Sequence, residues 1–148
     1  MIVSFDELTT LRGRVAMVDG AFDPLHHGHI EYFREARERL GIELLCNLAP
    51  DEYVARKHRP LLPQDQRAIV IDAIRYIDYT HKSGRDTESV LRQLRPKYYV
   101  KGTDWRGKLP PAQEVICREH AIEIVYLDTV RESSTAILKQ YHESQIQR

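Results

Sequence analysis

The organisation of this chain can be read from residues 14–40, RVAMVDGAFDPLHHGHIEYFREARERL. The first six residues, 14–19, form a largely apolar run that predicts a buried strand. Residues 28–40 carry apolar side chains at helical spacing and stop before Gly41, a residue that favours helix termination, so they predict a helix. A strand, a short loop and a helix in this order are typical of a parallel α/β unit.

The same alternation of strand and helix patterns continues towards the C-terminus. Strands are predicted at 42–48, near Tyr79, at 97–102 and at 122–128, and helices at 63–77, 87–94, 111–120 and 133–141. We therefore expect an α/β fold, a Rossmann-like doubly wound parallel sheet of about five strands, in a single domain that spans residues 1–148. Such sheets bind ligands at the carboxyl ends of their strands, near the point where strand order reverses.

Composition narrows the function classes. The 148 residues include 22 Lys and Arg against 22 Asp and Glu, and this balance argues against a general nucleic-acid-binding protein. The longest apolar runs are too short to span a membrane, and the charged first twenty residues do not resemble a signal peptide. Cys46 and Cys117 are too few for a disulfide framework, so we expect two buried thiols in a cytoplasmic protein with no nucleic-acid or membrane partner.

The segment between the first strand and the first helix, GAFDPLHHGH (20–29), is named the histidine loop here. It brings His26, His27 and His29 to the N-terminus of a helix, where the helix dipole favours anions such as phosphate. Gly20 allows a ligand to approach the backbone closely, and Gly28 leaves room where a side chain would intrude. His26 and His29 lie three positions apart, project to one side, and can donate hydrogen bonds to phosphoryl oxygens. The alternatives are a zinc site, which lacks a third ligand at suitable spacing, and solvated histidines without a function.

The histidine loop resembles the H-x-G-H signature of the nucleotidyltransferase superfamily that includes glycerol-3-phosphate cytidylyltransferase and the adenylyltransferase of ADP-heptose synthesis. The resemblance covers about residues 13–137. It implies that His26 and His29 contact the nucleotide phosphates and stabilise the transition state at the α-phosphorus, whereas His27 has no role. No metal ligand is implied, and the nucleotide-binding residues implied in this loop are Gly20, Ala21, Phe22, Asp23 and Gly28.

The segment after the predicted strand at 97–102 is VKGTDWRGKLP (100–110). Its first part resembles the heptose adenylyltransferase group, and DWRGK resembles the cytidylyltransferases. The resemblance implies that four residues approach the nucleotide: Lys101, Gly102, Asp104 and Trp105. A lone tryptophan that packs in the core is the alternative for Trp105.

Two further segments complete the resemblance. Residues 56–59, Arg-Lys-His-Arg, could be a solvated face, but the resemblance implies that Lys57 acts in catalysis and Arg59 binds the triphosphate. Arg67 and Arg75 stand where the family has arginines. RESSTAIL (131–138) resembles the closing motif of the family, which implies that Ser133, Ser134 and Thr135 bind the triphosphate, whereas a plain helix cap is the alternative for Ser133.

These segments together predict an enzyme that transfers CMP from CTP to a sugar or polyol phosphate and releases pyrophosphate, as in the synthesis of cell-envelope precursors. The alternatives are an adenylyltransferase that acts on a heptose phosphate and a nucleotide-binding regulatory protein without turnover. The resemblance implies Mg²⁺ bound with the triphosphate, a small phosphorylated acceptor as the partner substrate, and a homodimer.

Overall fold

The computed structural model describes residues 1–129 and 134–146. Within these ranges the strands are β1 (Ile2–Val3), β2 (Val15–Gly20), β3 (Glu43–Leu48), β4 (Tyr79–Lys82), β5 (Tyr98–Gly102) and β6 (Glu123–Leu127). They form one sheet in the order β1-β4-β3-β2-β5-β6, and every neighbouring pair is parallel. The predicted parallel α/β fold is confirmed.

The helices are α1 (His27–Leu40), α2 (Asp51–Ala55), α3 (Gln64–Asp72), α4 (Thr87–Leu94), α5 (Pro111–Glu119) and α6 (Ser134–Ile146). The helix predicted at 63–77 is shorter in the structure. Beyond Asp72 the backbone tightens, because Ile74 N–H bonds to the carbonyl of Ile71 and Ile77 N–H to that of Ile74, each three residues back. The short helix α2 and the 3₁₀ turns at Asp6–Leu11 and Thr103–Trp105 complete the connections.

Both faces of the sheet are covered, as a doubly wound arrangement requires. Side chains alternate between faces along a strand, so Val18 packs towards α1 and α3, while Met17 packs towards α4 and α5. Phe33 of α1 and Leu91 of α4 are both fully buried, one on each side. Cys46 and Cys117 are free and buried.

The sheet has six strands, whereas about five were expected from the sequence. The additional strand is β1, which pairs with β4 through Ile2 opposite Thr80 and Val3 opposite His81. Two residues are too few to show an alternating pattern, so this strand is detectable only through its pairing.

Candidate active site

The strand order places a topological switch at β2. From β2 the chain moves to β3 and β4 on one side and later crosses to β5 on the other side. Loops that leave the carboxyl ends of β2 and β5 therefore diverge and open a crevice, the usual ligand position in such sheets. The histidine loop follows β2, and the turn Thr103–Trp105 follows β5. Two segments that the sequence analysis selected thus lie at the switch.

His26 is the N-cap residue of α1, and backbone N–H groups orient both motif imidazoles. The Nδ1 atom of His26 accepts from Gly28 N–H at 3.1 Å, and that of His29 accepts from His26 N–H at 3.2 Å. The two rings stack with centroids 3.8 Å apart. Because each Nδ1 is an acceptor, the proton of each neutral ring lies on Nε2. Each ring therefore carries its donor hydrogen on Nε2, and in His26 that atom is buried. His27 is exposed.

The protonation state of His29 follows from its surroundings. Burial, with a smaller contribution from the charge of His26, lowers the pKa of His29 to about 3. The Phe22 ring contributes to this burial, since it meets the His29 ring edge-on with centroids 4.9 Å apart. At neutral pH His29 is therefore a neutral hydrogen-bond donor.

Two glycines make room for these rings. A Cβ atom on Gly28 would stand 2.9 Å from Cε1 of His26, and one on Gly20 would stand 3.0 Å from Cζ of Phe22. Phe22 itself has a φ of 51°, in the left-handed region that side chains seldom adopt. In the structure, both glycines therefore accommodate neighbouring side chains of the loop.

Asp23 and Arg67, named the clamp here, join the histidine loop to the chain that precedes α3. Asp23 is only 2% exposed, and its carboxylate accepts from Leu61 N–H at 2.8 Å and Leu62 N–H at 3.3 Å. Arg67 is 1% exposed. Its guanidinium donates to the carbonyls of Ala21 at 2.9 Å and Leu62 at 3.0 Å and to the carboxylate of Asp51 at 2.7 Å. Asp23 therefore bonds to protein backbone through both carboxylate oxygens.

Residues 56–59, named the basic segment here, lie between α2 and the clamp. Arg56, Lys57 and Arg59 are exposed, and Nζ of Lys57 lies 5.3 Å from the centroid of the Tyr53 ring. Over residues 1–129 and 134–146, none of these three side chains forms an ion pair. Within the described part of the chain their positive charge is therefore uncompensated, beside a segment that the clamp holds to the histidine loop.

At the end of β5, Lys101 belongs to a buried ion pair. Its Nζ donates to Oδ1 of Asp19 at 2.8 Å and lies 4.2 Å from the centroid of the Trp105 ring. The Tyr99 hydroxyl donates to the other Asp19 oxygen at 2.8 Å, and burial together with Asp19 raises the pKa of Tyr99, so this donor stays protonated. Lys101 thus supports the half-buried Trp105, which is not a core residue.

Asp104 is exposed and lies close to the backbone of β5. A Cβ atom on Gly102 would stand 2.5 Å from Oδ1 of Asp104, so a larger residue there would displace the Asp104 carboxylate. The adjacent Thr103 hydroxyl donates to Asp128 at 3.1 Å, which ties this turn to the end of β6.

Of a row of four polar side chains across the sheet, sequence reasoning named Lys101 and missed Asp19, Asn47 and His81. Asp19 stands opposite Asn47, and Asn47 opposite His81, while Asp19 bonds to Lys101 from the other side. The Nδ1 atom of His81 lies 2.8 Å from Oδ1 of Asn47, and burial lowers the pKa of His81 to about 4. Each of these residues, named the polar row here, is the penultimate residue of its strand. A polar residue in the penultimate position of a largely apolar strand is a signal that could have revealed Asp19 and Asn47, whereas β4, with the sequence YTHK, is too polar for His81 to stand out.

Of the closing motif, Ser133 lies outside the described residues, and Ser134 and Thr135 begin α6. Among residues 1–129 and 134–146, no group of three or more His, Cys, Asp or Glu side chains is placed to hold a metal ion. In the same part of the chain, no helix has the length and apolar character needed to cross a membrane.

Known proteins are similar to this chain in sequence and in fold. The family model described as cytidylyltransferase-like matches residues 17–140. The chain is 34% identical to the bifunctional protein HldE of Campylobacter concisus over 94% of its own length but spans only 30% of that protein. It is 32% identical to the glycerol-3-phosphate cytidylyltransferase of Staphylococcus aureus over 82% of its own length and 89% of that enzyme.

A solved structure, the lipopolysaccharide core biosynthesis protein from Thermoplasma volcanium, superposes with a TM-score of 0.66 at 25% identity, covering 78% of this chain and 96% of that one. Its fold therefore matches that of the present chain. The match to the family model covers most of the sequence and includes the histidine loop. The chain therefore belongs to the cytidylyltransferase-like family of nucleotidyltransferases.

Proposed function

We propose that this chain transfers CMP from CTP to a phosphorylated sugar or polyol. An oxygen of the acceptor phosphate attacks the α-phosphorus, the bond between the α-phosphorus and the bridging oxygen to the β-phosphate breaks, and pyrophosphate leaves. The attacking oxygen is already anionic at neutral pH, so the reaction needs no general base and no covalent intermediate. The observation that carries the proposal is the pair of stacked imidazoles at the switch point, each with its Nδ1 atom held by a backbone N–H group.

In this proposal His26 and His29 donate to the α-phosphate oxygens as negative charge develops on them. Lys57 and Arg59 bind the β- and γ-phosphates, supported by their lack of ion-pair partners among the described residues. Trp105, held by Lys101, offers an aromatic surface to the base. Ser133, Ser134 and Thr135 are proposed to bind the triphosphate on the strength of their motif alone.

We also propose that Mg²⁺ enters with the triphosphate. No three-ligand cluster occurs in the described residues, which fits an ion whose ligands are mainly phosphate oxygens and water. The ion would reduce the negative charge of the departing pyrophosphate.

A cytoplasmic homodimer is the assembly that we propose. The free thiols of Cys46 and Cys117 agree with a reducing compartment. Large apolar side chains are exposed on and before α3, notably Leu61 at 52% and Ile69 at 65%. Such side chains suit a subunit interface, and light scattering at several protein concentrations tests the assembly.

The second candidate is an adenylyltransferase that acts on a heptose phosphate. It is favoured by the segment Val100–Gly102, which resembles that group, and by the match of nearly the whole chain to HldE. The two candidates differ in the base that Trp105 and its neighbours accept.

The test is a pyrophosphate-release screen of four nucleoside triphosphates with Mg²⁺ against a panel of sugar and polyol phosphates. We expect CTP with a polyol or sugar phosphate to give turnover and CTP to raise the melting temperature more than ATP, since stabilisation follows affinity. Turnover with ATP and a heptose phosphate would establish the second candidate. Nucleotide binding without any turnover would indicate a regulatory protein.

A further inference from the structure

A second cavity lies at the same carboxyl-end edge of the sheet as the histidine loop, but towards the β1 side of the sheet. It has a volume of about 370 Å³ and is lined by Val3, Phe5, His81, Lys82, Gly84 and Arg85 at the carboxyl ends of β1 and β4; we name it the edge cavity. Neighbouring strands are about 4.8 Å apart, so β4 lies about 10 Å and β1 about 14 Å from β2. The edge cavity is therefore distinct from the crevice at the histidine loop.

The charge of the edge cavity is positive. Lys82 is neutralised, since its Nζ donates to Asp65 at 2.8 Å. Arg85 is not, because no carboxylate among residues 1–129 and 134–146 forms an ion pair with it. Its guanidinium carbon lies 4.4 Å from the centroid of the Phe5 ring, a stacking contact that positions this cation at the cavity wall. An exposed guanidinium that stacks on an aromatic ring and has no ion-pair partner among the described residues is suited to bind a phosphate or carboxylate group.

The remaining walls suit a hydroxylated carbon skeleton. Oδ1 of Asn47 can only accept, so Nδ1 of His81 carries the ring proton and Nε2 is an acceptor. Because His81 is buried and its pKa is lowered, this acceptor persists at neutral pH. Val3 and Phe5 supply apolar surface, and the Phe5 and His81 rings stand 6.2 Å apart. The cavity thus combines a cation, a hydrogen-bond acceptor and an apolar face.

We propose that the edge cavity binds a phosphorylated polyol or sugar, with its phosphate on Arg85 and a hydroxyl group donating to His81. The phosphorylated group that occupies the cavity can come from two sources. The first is the far end of the acceptor substrate, if that acceptor carries a second phosphate about two strand spacings from the reacting one. The second is a separate metabolite that regulates the enzyme. The first source rests on the proposed function, whereas binding in the cavity does not.

The test is NMR titration of ¹⁵N-labelled protein, without nucleotide, using fructose 6-phosphate and fructose 1,6-bisphosphate as probes. We expect saturable shifts in the amide signals of Ser4, Phe5, Gly84 and Arg85. In the Arg85→Ala variant the Kd should rise about tenfold or more, the scale of one charge-assisted hydrogen bond. Arg92→Ala is the matched control, because it removes an exposed arginine of α4 outside the cavity, and its Kd should equal that of the parent.

Shifts confined to the histidine loop, or equal Kd values in Arg85→Ala and the parent, would overturn the proposal and leave the proposed function intact. Binding at the edge cavity in a chain that releases no pyrophosphate would instead refute the proposed function alone. With an active acceptor in hand, a higher acceptor KM in Arg85→Ala at unchanged kcat assigns the cavity to the acceptor. A rate that responds to added fructose 1,6-bisphosphate at unchanged acceptor KM assigns it to a regulator.

Discussion

At the scale of single residues, the two motif histidines use backbone N–H groups of the helix start to orient their own rings. Gly28 N–H bonds to His26 and His26 N–H bonds to His29, so these two amides are not directed at a ligand. From the sequence, a phosphate site was expected at this helix N-terminus because the helix dipole favours anions there. The proposed donors to phosphate are instead the Nε2–H groups of the imidazoles, and a Cβ atom on Gly28 would stand 2.9 Å from Cε1 of His26.

The His26→Ala and His29→Ala variants should each lower kcat by roughly 10²-fold, the scale of losing one donor that stabilises developing charge. His27→Ala is the control and should keep parental turnover, because His27 is exposed and its ring is not held by these bonds. Pyrophosphate release under saturating substrate measures the effect. Parental kcat in both alanine variants would remove the histidines from the catalytic site.

At the scale of elements, the clamp changes the expected behaviour of the basic segment. Pro60 and Pro63 flank the end of this loop, and their own nitrogen atoms cannot anchor it by hydrogen bonding because proline has no N–H group. The structure shows that Asp23 bonds to the N–H groups of Leu61 and Leu62 and that Arg67 bonds to Leu62 and Ala21. The clamp therefore fixes Leu61 and Leu62 at the C-terminal end of this loop, whereas the basic segment forms none of the clamp's hydrogen bonds.

Hydrogen exchange with and without CTP and Mg²⁺ should reflect that division. The amides of residues 56–59 should gain protection when phosphate oxygens neutralise the adjacent cations. The amides of Leu61 and Leu62 should change little, because they are already bonded to a buried carboxylate. Uniform protection across residues 56–62, or none, would contradict this assignment of the clamp and the basic segment.

The Lys57→Ala variant should weaken CTP binding about tenfold while leaving CMP binding nearly unchanged, because its proposed contacts are to the β- and γ-phosphates. Lys97→Ala is a matched control, since Lys97 is likewise exposed and lies near a tyrosine ring, but precedes β5 at the opposite edge of the sheet. Calorimetric titration gives both Kd values. Equal losses of affinity for CTP and CMP would show that Lys57 is an ordinary solvated side chain and does not bind the β- and γ-phosphates.

At the scale of the whole molecule, neutral buried histidines make stability depend on pH. The pKa of His81 is about 4 in the folded chain, against 6.5 as its ordinary value, because burial disfavours the charged form. Between these two pH values the unfolded chain binds a proton that the folded chain does not. The contribution of His81 to the free energy of unfolding is therefore fully present above pH 6.5 and decreases as the pH falls towards 4. His29 acts in the same direction.

The free energy of unfolding, measured with urea, should therefore be lower at pH 4.5 than at pH 7 by about 2 kcal/mol on account of His81. In His81→Gln, which keeps a polar side chain beside Asn47 without a titrating ring, the difference between the two pH values should shrink by that amount. His142→Gln, an exposed position on α6, should retain the parental difference. The same pH dependence in His81→Gln and the parent would show that His81 is protonated equally in both states.

The sequence by itself determined the fold class and the histidine loop, because their signals are local. Each of these signals lies within a short stretch of sequence: the apolar runs, the helical spacing of apolar residues, and the three-residue separation of His26 and His29. Tertiary structure alone decided β1, which exists through its pairing with β4, and the partners of residues far apart in sequence. Three hydrogen bonds show this: Lys101 bonds to Asp19, 82 positions away in sequence, Arg67 to Ala21, 46 positions away, and His81 to Asn47, 34 positions away. These contacts depend on which strands become neighbours, and strand order is set by packing over the whole sheet rather than by any single segment.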